Sequence, residues 1–280
     1  MKKLIINLAP TGMIPTKSQT PYVPIDPDEI VRDVLECVPL GISMVHLHAR
    51  NEEGLPTYKR NYYENIIPAI REKHPDLVII TTTSGRDFNE FNMRSEVLNL
   101  TGDSKPDMGS LTLSSVNFNR VASINSPNMI MRLAETMQEK GIKPEMEIFD
   151  LGMVNFAHYL IRKGLIEPPY YFNILLGNIA AAQAKLLHLG LIVSELPEQS
   201  FWSVTGIGNV QLNMNAIGVI AADGIRIGLE DNIWFDEDRT CLATNTMLVT
   251  RIRKIIDAIE RPIATPADVR NMLNLPKRTS

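Results

Sequence analysis

The chain has 280 residues, 44% of them hydrophobic and 21% charged, with a formal net charge of −4. That balance describes a globular chain with enough apolar material for one large core, and it lacks the basic stripe that nucleic-acid binding requires. The length suits one α/β barrel spanning residues 1–280 better than two small domains.

The amino terminus reads Lys2-Lys3 followed by Leu4-Ile5-Ile6-Asn7-Leu8-Ala9. This apolar run is too short for a secretory signal and is broken by Asn7. No stretch reaches the roughly 18 to 20 apolar residues of a membrane span. Cys37 and Cys241 stand far apart, without metal-type spacing, which argues against a disulfide scaffold or zinc ribbon. Each cysteine is expected to pack as a small hydrophobe, which suits a reducing compartment, and a cytoplasmic location is expected.

Apolar, β-rich runs alternate with helical patterns along the chain. Strands are predicted to start at Leu4-Ile5-Ile6, Met44-Val45, Leu77-Val78-Ile79-Ile80 and Gly109 to Leu113. Four more follow at Glu145 to Phe149, Phe172 to Leu176, Phe201 to Val204 and Ile225 to Leu229. Helical spacing covers Asp28 to Val38, Tyr62 to Lys73, Asn128 to Lys140 and Ile179 to Leu191. Pro27 reads as a first-turn proline and Gly141 as a helix stop. Thr265-Pro266 reads as the cap and first residue of one extra helix at the carboxyl end. Strand-helix alternation argues for a parallel sheet, and eight such units argue for a closed (β/α)8 TIM barrel.

In such a barrel, chemistry sits at the carboxyl ends of the strands. The second strand ends in His46-Leu47-His48-Ala49-Arg50. Residues i and i+2 of a strand share a face, so two imidazoles project together, and imidazole is a common zinc ligand. The same pair could instead only hydrogen-bond to neighbours, because a catalytic zinc usually takes three protein ligands. Glu230, at the end of the eighth strand, is placed to complete a His-His-Glu set. Asp231 points elsewhere if the strand continues and could act as a separate base, with Arg226 four residues before Glu230 as a carboxylate partner. Either acid could alternatively cap a following helix. Thr81 to Arg86 end the third strand, and Ser110, Thr112 and Ser114 share one face of the fourth. About half of these hydroxyls are expected to be structural, given the β propensity of threonine. Glu145 and Glu147 share a face of the fifth strand, and one of them is expected to do no more than pair with a base. Gly206-Ile207-Gly208 could offer backbone amides to an anion, although such a turn is common. His74, His158 and His188 fall in helical patterns and read as surface or packing residues.

The assembled motifs resemble the β-keto acid cleavage enzymes, the family that includes 3-keto-5-aminohexanoate cleavage enzyme. The likeness runs over nearly the whole chain. It rests on Asn7-Leu8-Ala9-Pro10-Thr11-Gly12, Val45-His46-Leu47-His48-Ala49-Arg50, Pro106 to Leu111 with Asn117-Phe118, Lys143 to Glu147, and Arg226-Ile227-Gly228-Leu229-Glu230-Asp231-Asn232.

The resemblance implies a zinc-dependent barrel that converts a β-keto acid and acetyl-CoA into acetoacetate and a new acyl-CoA. His46, His48 and Glu230 match its metal ligands. Asp231, oriented by Arg226, matches the base, and Glu147 a carboxylate close to the reacting centre. Thr82, Thr83, Gly85 and Ser110 match residues lining the substrate pocket. The resemblance also implies a homotetramer. One departure stands out: family members that act on amino-bearing keto acids carry an acid in the first-strand loop, where this chain has Ile14. An ammonium left unpaired beside Met13 and Ile14 would be costly. An uncharged or apolar acyl tail is therefore expected, with Ile14 facing it and Lys17 as an anion contact. The competing expectations are a zinc hydrolase on the same scaffold and a non-catalytic binding barrel.

Overall fold

A computed structural model describes residues 2–278. Eight parallel strands close into a barrel: β1 (Ile5–Leu8), β2 (Met44–Leu47), β3 (Val78–Thr81), β4 (Met108–Thr112), β5 (Lys143–Ile148), β6 (Tyr170–Leu176), β7 (Ser200–Gly206) and β8 (Gly224–Ile227). Each predicted strand is present, and β1 closes the ring by pairing with both β2 and β8. Every strand except parts of β4, β5 and β7 is buried throughout, as a sheet covered by helices on the outside must be.

The helices that follow the strands are α1 (Pro27–Cys37), α2 (Arg60–Lys73), α3 (Phe91–Ser95), α4 (Pro127–Glu139), α5 (Leu151–Arg162), α6 (Leu186–Ser194), α7 (Gln211–Ala221) and α8 (Asn245–Ala258). A further helix, α9 (Pro266–Met272), extends beyond the last barrel unit. Their starts obey local chemistry. The Asp26 carboxylate accepts from the Glu29 amide at 2.8 Å, directly ahead of Pro27. Thr265 and Asp268 form a reciprocal capping box. Gly141, just past the end of α4, takes φ +59°.

One helix departs from expectation. The spacing predicts a helix from Ile179, yet α6 begins only at Leu186. Tertiary hydrogen bonds hold the preceding segment as a loop: the Ala182 amide donates to Phe149 O at 2.9 Å, and the Gln183 side chain donates to the carbonyls of Asn178 and Ala181. The helix propensity of its alanines is overridden. Two short hairpins, Ala49–Arg50 with Pro56–Thr57 and Val116–Asn117 with Ala122–Ser123, were not foreseen.

The barrel interior changes character along its axis. At the amino end Ile5, Met44, Val78, Ile80, Met108 and Tyr171 pack against Val269 of α9 and Leu273 just past it, which plug that end. Asp107 anchors the plug by accepting from Arg270 at 2.9 and 3.0 Å and from Arg71 at 3.2 Å. Two residues further along the strands the same inward positions are Asn7, His46, Asn173, Thr205 and Arg226, all buried. A dry apolar floor thus supports a polar layer at the carboxyl end, where this fold keeps its chemistry.

Candidate metal centre and active site

His46 and His48 project from the end of β2 with their Nε2 atoms 3.3 Å apart. The Nδ1 of His46 lies 2.6 Å from Glu145 Oε2. A carboxylate has no proton to give, so Nδ1–H donates and the Nε2 lone pair turns toward His48. Glu145 is fully buried and is itself steadied by the Asn7 amide at 2.9 Å. This carboxylate-histidine arrangement fixes ring orientation and makes the opposite nitrogen a better donor to a metal.

Glu230 completes the cluster, with Oε1 3.2 Å from His48 Nε2 and one ligand atom from each of the three residues within 4.8 Å of the others. Its Oε2 is buried and has no hydrogen-bond partner. Converging lone pairs and an orphaned carboxylate oxygen would repel one another without a cation. Two nitrogens bound to a tetrahedral zinc at its usual bond length stand about 3.3 to 3.4 Å apart, which the imidazole separation matches. These residues fit a zinc ion. A second group, His46 with Glu145 and Glu147, also satisfies metal spacing, but Glu145 already holds the Nδ1 side of His46.

The strand does not continue through Glu230 and Asp231 as the sequence suggests. β8 ends at Ile227, and Gly228 turns the chain, so both acids fold back onto Arg226. This buried guanidinium donates to Asp231 at 3.0 and 3.2 Å, to Glu230 at 2.6 Å and to Glu147 at 3.3 Å. Burial raises the Asp231 carboxyl and Arg226 only partly offsets it, leaving it at about 6. Glu230 is also buried, but Arg226 and the imidazoles outweigh that cost and hold it well below the ordinary carboxylate range. Burial draws His48 down; it also works against His46, but the charge and hydrogen bond of Glu145 together with the Glu230 charge outweigh it and raise His46.

The remaining predicted residues divide. Glu147 sits between Arg226 and Thr112, whose hydroxyl donates to it at 2.7 Å, because the register sets Thr112 beside Glu147. Thr83 and Ser110 bond to each other: the Thr83 hydroxyl donates to Ser110 O at 2.6 Å, and the Thr83 amide to Ser110 Oγ at 3.1 Å. Thr82 accepts from the Ser84 amide at 3.1 Å and retains its own proton to donate. Gly85 is packed so closely against Arg94 and the Ile124 carbonyl that no side chain fits there. Thr82 and Thr83 line a cleft beside His48 with Met13, Tyr58, Phe88 and Met93. Ile14 is 54% exposed and does not line that cleft. Lys17 does not serve as a free anion contact, since its ammonium donates to Glu29 at 2.8 Å and to Pro21 O at 3.2 Å.

The sequence reading missed Glu145 as the orienting partner of His46, although its i, i+2 spacing from Glu147 pointed inward. It also missed the work of Arg50, which donates to Gly12 O at 2.7 and 3.0 Å and to Pro15 O at 3.0 Å. That residue ties the loop after β1 to the histidine strand. His74, His158 and His188 lie away from this cluster; His158 lies 2.9 Å from the Glu195 carbonyl and His188 accepts from the Gln183 amide at 2.9 Å.

A closed parallel barrel with two histidines, a carboxylate and a carboxylate-arginine pair at its carboxyl end defines the class: a TIM-barrel enzyme with a candidate metal centre. The sequence profile of the β-keto acid cleavage enzymes matches residues 3–275, and the chain belongs to that family. It is therefore an enzyme of carbon-carbon bond cleavage. It is 34% identical to 3-keto-5-aminohexanoate cleavage enzyme of Fusobacterium nucleatum, over 99% of this chain and 100% of that one. It is 32% identical to 3-oxoadipate:acetyl-CoA acetyltransferase of Cupriavidus necator, over 97% and 95%. Among solved structures, apo ObcA superposes with a TM-score of 0.80 at 22% identity, over 92% of this chain and 66% of ObcA, a likeness of fold. Among the described residues no helix is long and apolar enough to cross a membrane.

Proposed function

We propose that this chain is a zinc-dependent β-keto acid:acetyl-CoA acyltransferase forming one catalytic domain, which yields acetoacetate and the acyl-CoA of the cleaved keto acid. The observation that carries this reading is the convergence of His46 Nε2, His48 Nε2 and Glu230 within 4.8 Å, beside the Asp231–Arg226 pair. The names of the two relatives support the substrate pair, one as a keto acid cleavage enzyme and the other as an acetyl-CoA-dependent transferase.

His46, His48 and Glu230 would hold the ion. When bound, zinc supplies Lewis acidity to a ketone oxygen and offsets the negative charge that develops there. Asp231 takes a proton from the carbon between the keto group and the carboxylate of the substrate. Its raised proton affinity, from burial, brings the base closer to a weak carbon acid. Arg226 keeps Asp231 aimed, and Glu147 on the other side of the guanidinium fixes Arg226 in turn. The substrate carbanion attacks the thioester carbonyl of acetyl-CoA and CoA thiolate leaves. The thiolate then adds to the original keto carbon. The carbon-carbon bond breaks, acyl-CoA forms, and Asp231 returns its proton to acetoacetate. The Thr82 hydroxyl and the backbone around Gly85, held by the Thr83–Ser110 pair, are suited to the substrate carboxylate. In the cleft beside His48, Met13, Phe88 and Met93 offer apolar contact to an uncharged acyl tail, while Thr82, Thr83 and Arg94 keep part of its lining polar.

Helix α6 supports a homo-oligomer. Leu186, Leu187 and Leu191 are 69%, 70% and 48% exposed, on a helix whose own core contacts are Leu189 and Ile192. A panel of β-keto acids, assayed with acetyl-CoA and read as acetoacetate, tests the proposal. Acetoacetate formation with matching acyl-CoA is expected. Hydrolysis that needs no CoA would overturn it and support the hydrolase instead.

A further inference from the structure

Arg86 is a cation without a partner at the mouth of the barrel. It follows β3 in the loop Thr82-Thr83-Ser84-Gly85-Arg86, and among the described residues its guanidinium makes no hydrogen bond and no ion pair. It stacks on Phe118, with the guanidinium carbon 3.6 Å from the ring centroid. Phe118 in turn meets Phe149, just past β5, edge to face at 5.8 Å. The base of the residue is equally constrained. The Arg86 amide donates to Ser84 Oγ at 3.3 Å, and Gly85 is pressed against Arg94, which donates to Thr83 O at 2.8 Å and to Asn125 at 2.6 Å. A guanidinium held on a fixed stack with its donors unused is arranged to receive something.

Charge says what. Glu147, Glu230 and Asp231 share one buried guanidinium, Arg226, and Glu145 stands behind His46, so these four carboxylates outnumber the cation they are built around. Both proposed substrates are anions, and a divalent ion offsets only part of the repulsion they meet. Arg86 is half-buried; desolvation draws its proton affinity down, while Glu230, Asp87, Glu147 and Asp231 act the other way, so it stands within the field of the reaction centre. It lies outside the cleft beside His48, on the Phe118 side of the site.

Resting on the proposed acyl transfer, we infer that Arg86 is a specificity residue that receives an oxyanion of the substrate pair on the Phe118 side of the barrel mouth. The group is either the carboxylate of the keto acid or a phosphate of CoA, both of which suit a planar, forked donor.

The test compares the zinc-loaded wild type with Arg86→Lys, Arg86→Gln and Arg86→Met, measuring KM and kcat for a β-keto acid with acetyl-CoA and with acetylpantetheine, which lacks the phosphates. Loss of a charge-assisted contact raises KM by about tenfold or more. If phosphate is the group, KM for acetyl-CoA rises in Arg86→Met and Arg86→Gln while KM for acetylpantetheine does not. If carboxylate is the group, KM for the keto acid rises and that for acetyl-CoA stays. In both cases kcat changes less than KM, and Arg86→Lys lies closer to wild type. The inference is overturned if both KM values stay within about twofold of wild type, or if kcat falls as much as KM rises, as a packing role would give. Should wild type turn over no keto acid, the acyltransfer reading falls. Calorimetric titration of wild type and Arg86→Met with acetyl-CoA and with acetoacetate then still decides the role of Arg86.

Discussion

A Cβ on residue 12 would lie 2.5 Å from Cγ of Glu230, so Gly12 leaves room that the third candidate metal ligand fills. Gly12 also sits at φ +64°, and its carbonyl accepts twice from Arg50. The first strand's Pro-Thr-Gly motif and the eighth strand's Glu-Asp motif are thereby one construction, joined through the histidine strand.

Gly12→Ala tests that relationship. The new methyl collides with Glu230, and the backbone conformation adds about 1 kcal/mol of strain. Zinc affinity and turnover are expected to fall together, with the fold retained. Competition against a chromophoric chelator reads the first, and unchanged zinc affinity would show that Glu230 is not a ligand.

Asp231→Asn separates the base from the metal site. Loss of a positioned general base lowers kcat by about 10²- to 10⁴-fold, while zinc content stays stoichiometric. His48→Ala is expected to lose metal first. Elemental analysis alongside kinetics distinguishes the two, and a near-normal rate in Asp231→Asn would remove it from the mechanism.

Glu145→Gln keeps the shape behind His46 but removes the charge that holds Nδ1–H. Metal affinity is expected to weaken by about 10- to 100-fold. The measurement is a zinc titration at fixed pH, and an affinity equal to wild type would reduce Glu145 to a packing role.

Asp33 supplies a pH dependence of stability away from the site. Burial raises its carboxyl from the ordinary 3.8 to about 6, against the hydrogen bond from Asn245. A folded-state value above the unfolded one means that the folded protein holds this proton longer. The contribution to stability is complete below pH about 4 and is lost as pH rises through about 6. Asp33→Asn, which still accepts from Asn245, is therefore expected to gain in melting temperature over wild type between pH 4.5 and 7. Thermal denaturation at both pH values checks this, and a pH-independent difference would contradict it.

The eight strands, the first-turn proline of α1, the capped start of α9 and the stop at Gly141 were legible because they rest on local chemistry: period, caps and turns. Motif residues at strand ends were legible too, since a strand fixes which side chains share a face. The start of α6 was not, because bonds from Ala182 to Phe149 O and within the Asn178–Gln183 loop come from remote or irregular partners. Nor was the conformation of Glu230 and Asp231, which depends on a turn at Gly228 rather than on strand alternation.

The sequence alone determined the barrel and offered His46, His48, Glu230, Asp231 and Arg226 as candidates, because apolar period and residue chemistry are written locally. Only the tertiary structure decided how those residues are used. Closure of β1 onto β2 and β8 sets Asn7 behind Glu145, Glu145 behind His46, Gly12 against Glu230, and three carboxylates on the single guanidinium of Arg226. Burial raises both Asp231 and Glu230, but Arg226 and the two imidazoles outweigh it only at Glu230, so acids that look alike in sequence are split by the charges that the closed barrel places beside each.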